Sequence, residues 1–487
     1  MEVQEYLDKM KEIQDSLLEY IDDEVIAQEK FNNLIKLIKD LKIQDDKYLL
    51  KTFLYLLSSI VDCHFRTIYF FDKIFKVILI LKDHIKKHFT NIEIFNFFQN
   101  PKILLFLIQE KILNVDKTIA SIIIKSKYEI TDSGIYLFPE IKQFLDAEII
   151  EKMEIPQNLE KYREIEYYDH PILQLIQKDL IDEFITQTSK SNFQLDERIE
   201  ISSVFETNML LRNYNHKPID YAAFFGSIKI FKYLISNKSE IDQYIWFKAI
   251  RGRNPEIIHI LEDEKIEPTK FSYKDLFAYA IGCHHDDIAQ YIINNYIENN
   301  EDISLYIFKK GLRYFNFSFI ESKFVNKSNF YEICRRNYYI LSVALLRNDK
   351  SIDINMLTMH EKVDDYSDKK IIIQNTLLFS AIEKRNYEII RLLLDQDGID
   401  VNKKSLRSND QGQKEYTPLQ LAIENSDIEI VQLLLNHKNI DVNMKSKNYG
   451  YIVTPLYTAL RHSYENVDIV KLLINREDVI INLQSTE

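Results

Sequence analysis

Residues 417–443, TPLQLAIENSDIEIVQLLLNHKNIDVN, encode two short amphipathic helices that cannot both be buried by themselves. Thr417 can cap the first helix, and Pro418 at its first position gives up only an N–H that would have no partner. Leu419, Ala422 and Ile423 share one face. After a break at Asn425-Ser426-Asp427, Ile430, Val431, Leu433 and Leu434 form a second apolar stripe. Ile440-Asp441-Val442-Asn443 then leaves the helix. Such a pair needs copies of itself on either side.

The copies are present. HPILQLIQKDLIDEFI at 170–185, KPIDYAAFFGSIKIFKYLI at 217–235, YIWFKAIRGRNPEIIHIL at 244–261 and KDLFAYAIGCHHDDIAQYII at 274–293 repeat the pattern. A weaker copy covers 304–324, and near 330–355 only the second half, ending Asp353-Ile354-Asn355, is convincing. NTLLFSAIEKRNYEIIRLLLDQDGIDVN at 375–402 and TPLYTALRHSYENVDIVKLLINREDVIIN at 454–482 flank the opening stretch and are well formed. The small-residue slot steps through 222, 249, 280 and 311, then 381, 422 and 459, at intervals of about 27 to 41 that scatter around a period of about 33 residues.

On these residues the chain resembles the ankyrin repeat. The marks are Thr417-Pro418-Leu419, the following Ala422, the EIVQLLL second helix and Asp441-Val442-Asn443. The block at 217–261 is similar, more narrowly, to a protist subfamily that carries a helical N-terminal domain of unknown function. The resemblance implies an all-α solenoid of about nine helix-turn-helix repeats with finger loops over 166–487, irregular at 304–355, behind a helical domain at 1–165. Gln420, Asp220 and Tyr457 stand where the family prefers histidine. The threonine–histidine bond that fixes the first helix is therefore expected to be missing.

The segment before the repeats reads as helix after helix. Leu7, Met10, Ile13, Leu17 and Ile21 step at three and four residues, and further helices are expected over 46–62 and 66–89. Thr90 and Asn100-Pro101 are start signals for two more, Asp132-Ser133-Gly134 is a turn, and Pro139 opens a segment through about 153.

With 8 glycines and 9 prolines in 487 residues, a sandwich or a glycine-rich phosphate loop is disfavoured. A net charge of −13 disfavours nucleic acid and anionic membranes as partners. No apolar run approaches the roughly 20 residues of a membrane span, so no membrane insertion is expected. Cys63, Cys283 and Cys334, sparse and odd in number, suit a reducing compartment, so a cytoplasmic (or nuclear) location is expected.

No nucleophile elbow, phosphate loop or HExxH occurs, and the expectation is a non-enzymatic protein without cofactor or metal. His84 and His88 share a helix face, but Lys82, Lys86 and Lys87 around them repel a cation. Cys283-His284-His285-Asp286-Asp287 has ligand types, yet it falls in an inter-helix turn where neighbours point apart. Trp246 occupies a leucine slot and reads as core.

Function is expected instead at the long polar segments between repeats, KKSLRSNDQGQKEY (403–416), MKSKNYGYIV (444–453) and the insert between Asn355 and Thr376. Arg407, Tyr416, Tyr449, Tyr451, Asp364 and Tyr366 are the candidate contacts, tyrosine and arginine being strong interface residues. The expected role is a scaffold binding a protein or peptide. A substrate-recognition adaptor of a ubiquitin-ligase or signalling complex, and a cytoskeletal linker, are the alternatives.

Overall fold

A computed structural model describes residues 2–481 apart from 24, 26, 65–68, 125–130, 158, 165–169, 200–210, 212–215, 243, 269–270, 299–300, 364–369, 410–411, 449–450 and 462. The chain is mostly helical and divides into two compact units, Gln4–Glu321 and Ser322–Glu487 with Met1–Val3.

In the first unit, helices Val3–Ile21, Gln28–Asp40, Lys47–Cys63 and Phe70–His88 place their periodic apolar residues inside. Asp46 accepts from the amides of Tyr48 and Leu49, and Asn100 caps Pro101–Gln109 in the same way. Thr90 and Glu93 form a reciprocal cap for Asn91–Phe97. Asp132-Ser133-Gly134 is not a turn but the start of a short helix, Asp132–Tyr136, because Thr131 accepts from the Gly134 amide and caps it. The expected segment from Pro139 to about 153 breaks into short pieces, Phe138–Ile141, Lys142–Phe144 and Ala147–Glu151.

The helix pairs from 171 onward follow the repeat spacing: Pro171–Gln177 with Ile181–Lys190, Pro218–Phe225 with Ile228–Ser236, Ile245–Gly252 with Pro255–Asp263, and Tyr273–Gly282 with Asp286–Tyr296. Ala222, Ala249 and Ala280 are fully buried, and one apolar cluster runs through all four pairs. At Gly252 the approach is closest, since a Cβ there would lie 2.1 Å from the Ala223 carbonyl oxygen. Trp246 is core, 2% exposed, with its Nε1 donating to the Ile266 carbonyl at 2.7 Å. The copy at 304–324 departs from the pattern. Glu301–Tyr314 is long, and Phe317–Phe319 forms only a single tight turn where a second helix was expected.

The helices before residue 64 pack on these repeats through buried polar bonds. His64, fully buried, places Nδ1 2.6 Å from the Cys283 carbonyl and Nε2 2.5 Å from Asp22 Oδ1. Arg253 donates to Asp22 Oδ2 at 2.5 Å. Gln14 donates to Asn316 Oδ1 at 3.1 Å and accepts from the Phe317 amide at 2.8 Å, while Asn316 also donates to Asp286 and the Ile281 carbonyl. Arg251, 1% exposed, donates to the Asp62 carbonyl.

The second unit begins with the pair Phe330–Arg335 and Tyr339–Asn348, so the copy at 330–355 has both of its helices. Its first helix lacks the Thr-Pro start, and buried Phe330, Tyr331, Ile333 and Cys334 take the inner face instead of an alanine. Leu377–Glu383 with Tyr387–Leu394, Pro418–Glu424 with Ile428–Leu435, and Pro455–Arg461 with Ser463–Ile474 follow. Ala381, Ala422 and Ala459 are buried at their first helices.

The all-α expectation gains one addition here. The long segments between repeats are β-hairpins: β1 (Leu357–Val363) with β2 (Lys370–Thr376), β3 (Ser405–Asn409) with β4 (Gly412–Tyr416), and β5 (Ser446–Asn448) with β6 (Tyr451–Val453). The hairpins pair with one another into a six-stranded antiparallel sheet in chain order.

Three successive repeats end on an asparagine that grips the next. Asn355 donates to the Gly398 carbonyl and accepts from the Asp400 amide, both at 2.8 Å. Asn402 does the same with Asn439 and Asp441, and Asn443 with Asp478 and Ile480, at 2.7 and 2.8 Å in each case. Asp353, Asp400 and Asp441 each accept from the amide two residues on and hold that asparagine in place.

Candidate functional site

The hairpins are joined directly to the first helices they precede. β2 ends on Thr376, whose hydroxyl oxygen accepts from the Phe379 amide at 3.1 Å. β4 ends one residue before Thr417, which accepts from the Gln420 amide at 3.2 Å, and β6 one residue before Thr454, which accepts from the Tyr457 amide at 3.2 Å.

The histidine-less position is not a defect at residue 420. Gln420 Oε1 accepts from both the amide and the hydroxyl of Thr417, at 3.1 Å each. Its Nε2 donates on to the Val453 carbonyl at 3.2 Å, in the following hairpin. A glutamine offers an acceptor and a donor on one side chain, as a neutral imidazole does, so it can serve both neighbours.

Strand pairing sets the face. Ile373 lies opposite Arg407, Arg407 opposite Lys414, Lys414 opposite Asn448, and Asn448 opposite Tyr451. Residues opposed in this way point to one side of a sheet, and Tyr416 lies two along from Lys414 on the same side. The structure therefore brings Arg407, Tyr416 and Tyr451 onto one face. Asp364, Tyr366 and Tyr449 lie outside the described residues.

Their environments differ. Tyr416 is buried, edge-on to Phe379 with ring centroids 5.8 Å apart. The Arg407 guanidinium sits 5.6 Å from the Tyr416 ring centre and 5.9 Å from that of Phe379, and it pairs with Glu383. Lys414 Nζ lies 4.3 Å from the Tyr416 ring centre and 3.3 Å from Glu424. Tyr451 is 57% exposed, and Tyr457 and Leu460 on the last first-helix are also open. Phe379, Glu383, Lys414 and Glu424 join the site without having been singled out from sequence. Lys414 had a readable signal, since it keeps alternation with Tyr416 in a hairpin.

The other groups considered for chemistry have structural surroundings. His284 occupies the inter-helix turn at φ 56°, and Cys283, His284 and His285 are all buried. Both ring nitrogens of nearby His64 are engaged, and His285 Nδ1 faces the Ile250 carbonyl at 2.8 Å. His84 lies 3.9 Å from Asp45. One group among the described residues has metal-ligand proximity, His216, Asp220 and Asp242. Lys248 already stands there, 2.9 Å from Asp220 and 2.7 Å from Asp242, so an ammonium supplies the positive charge. Burial works against the Asp220 charge, but His216, Lys248 and the Lys217 amide outweigh it and hold the carboxyl below its usual range.

Comparison with known families agrees with this geometry. Residues 404–485 match the family described as ankyrin repeats (3 copies), and residues 374–403 match a single ankyrin repeat. The chain carries ankyrin repeats. The ankyrin matches cover β3 to β6 and the helices that follow them, but not β1. Residues 236–323 match a domain of unknown function (DUF3447), which overlaps the block at 217–261 and contains three of the first unit's repeats. No protein of curated function matches the chain. Among the described residues no helix is long and apolar enough to cross a membrane.

Proposed function

We propose that the chain is a scaffold that binds a protein or peptide on the helix-facing side of its finger sheet, through Arg407, Lys414, Tyr451 and the exposed side chains of the last first-helix. Ankyrin repeats are in general protein-interaction modules, which supports a protein partner. The observation that carries the reading is the shared rung from Arg407 through Lys414 to Tyr451. It sets cations and a tyrosine side by side on a surface already braced by Tyr416 and Phe379. Partly exposed Glu383 and Glu424 beside them supply acceptors, so both signs of charge are offered within one patch. Partner selection would then rest on polar complementarity with an aromatic anchor.

On this reading the chain binds rather than catalyses, and Asp364, Tyr366 and Tyr449 are further candidate contacts by residue type. The division into a helical domain at 1–165 and about nine repeats at 166–487 is retained as the functional division. Affinity capture with mass spectrometry on the full chain tests the proposal. Partners enriched by the wild type should be lost from a triple variant, Arg407→Ala, Lys414→Ala and Tyr451→Ala, whose melting midpoint is unchanged. Retention of every partner by that folded variant would refute it.

A further inference from the structure

A cavity of about 200 Å³ opens between helices Phe70–His88, Pro101–Gln109 and Leu159–Glu164 of the first unit. One wall is apolar. Phe75 and Phe106 stack there with centroids 4.0 Å apart and planes 10° from parallel, beside buried Leu105.

The polar wall is Lys102, Gln109 and Arg163. The Arg163 side chain is only 5% exposed, and its Nη2 donates to Glu140 Oε1 at 2.6 Å. Its Nη1 is buried with no partner among the described residues. A buried guanidinium N–H without an acceptor is uncommon, because its lost hydration is then not replaced. Lys102 also lines the cavity, and its ammonium lies over the Phe71 ring, 4.5 Å from its centre. Exposed Glu160 is the one acidic side chain among the lining residues.

We propose that this cavity binds a small carboxylic acid with an apolar body. Its carboxylate would accept from Arg163 Nη1 and face Lys102, and its apolar part would lie against Leu105 and the Phe75–Phe106 pair. Arginine prefers carboxylate and phosphate oxygens, and the two ligand classes separate on charge. Glu140 behind Arg163 and Glu160 at the wall repel a dianion more than a monoanion. The volume is below the roughly 300–1,000 Å³ of pockets that hold drug-sized ligands, which restricts the occupant to a ring or short chain. The acid can be a free metabolite or the C-terminal carboxylate of a peptide ending in an apolar residue.

The test uses the full chain and fluorine NMR with 4-fluorophenylacetate and its uncharged amide, 4-fluorophenylacetamide. The acid should bind at least about tenfold more tightly than the amide, the difference expected of a charge-assisted pair. Lys102→Gln should weaken acid binding several-fold while leaving the melting midpoint in place, and Arg163→Lys, which keeps a cation beside Glu140, should weaken it as well. A short peptide ending in phenylalanine, free or amidated at its C-terminus, then separates the sources. Tighter binding of the free-acid peptide than of 4-fluorophenylacetate assigns a peptide terminus, and the reverse order assigns a metabolite. Equal binding of acid and amide, or no binding of either acid at millimolar concentration to the folded chain, would overturn the proposal.

Discussion

His64 Nε2 lies 2.5 Å from Asp22 Oδ1, joining the C-terminal ends of two N-terminal helices at the point where both meet the repeats. The other ring nitrogen faces the Cys283 carbonyl, and the ring stands edge-on to His285 with centroids 5.0 Å apart. Burial pushes His285 well below the ordinary histidine value, with the charges of His64, Arg253 and Arg251 adding to the effect. Burial likewise lowers His284, to about 4. For Asp22, burial opposes ionisation, but His64 and Arg253 together outweigh it and keep the carboxyl below its usual range.

All three groups have lowered values in the fold, so stability is full at neutral pH and falls with acid. Below about 6.5 the unfolded chain takes up protons that His284 and His285 refuse, costing up to about 1.4 kcal/mol per pH unit for each. Below about 4 the loss of the Asp22 charge adds to this. Urea midpoints should decline between pH 7.5 and 4.5, and His284→Asn, which suits the left-handed turn and does not titrate, should flatten part of that decline. A midpoint independent of pH over this range would contradict the assignment.

Asn402 joins two repeats through its own amide group. Asn402→Ala removes the bonds to the Asn439 carbonyl and the Asp441 amide, and should cost roughly 1–3 kcal/mol. The loss should appear as a lower urea midpoint and faster amide exchange at Asp441.

Gln420→Ala should likewise destabilise, by about 1–2 kcal/mol, because it removes the cap on Thr417 and the link to Val453. Gln420→His should stay close to wild type. Equal destabilisation by both changes would show that the glutamine does not stand in for a histidine.

The inter-helix turns carry left-handed residues that are not glycine: Arg253, His284, Arg385 and Ser426 have φ between 49° and 56°. Ser426→Gly should raise stability by about 0.5–1 kcal/mol, since only the Cβ strain is removed. In the opposite direction, Ala422→Leu should lower it by roughly 1–3 kcal/mol by overpacking the fully buried slot. Both are readable as shifts in the urea midpoint.

The helix pairs were legible because a 3.6-residue period and a small-residue slot are local properties of the chain. Thr90, Asn100 and Thr417 announce their helices through caps that depend on a few neighbouring residues. The buried contacts of Gln14 with Asn316 and of His64 with Cys283 were not legible, since partners some 302 and 219 residues apart leave no spacing to read. The candidate site was half legible. Arg407 and Tyr451 stood out by residue type, but the rung that aligns them exists only once three hairpins pair, which depends on the stacking of helices behind them. Tyr416 reads from the sequence as a candidate contact, and in the structure it is buried edge-on against Phe379.

Because β2 pairs with β3 and β4 with β5, the three fingers behave as one plate whose sidedness is set by counting. One residue added within β4 would turn Lys414 and everything beyond it to the opposite side, whereas two would restore the order. Length changes inside these strands should therefore be tolerated in even steps and resisted in odd ones. Changes at the hairpin tips carry no such parity.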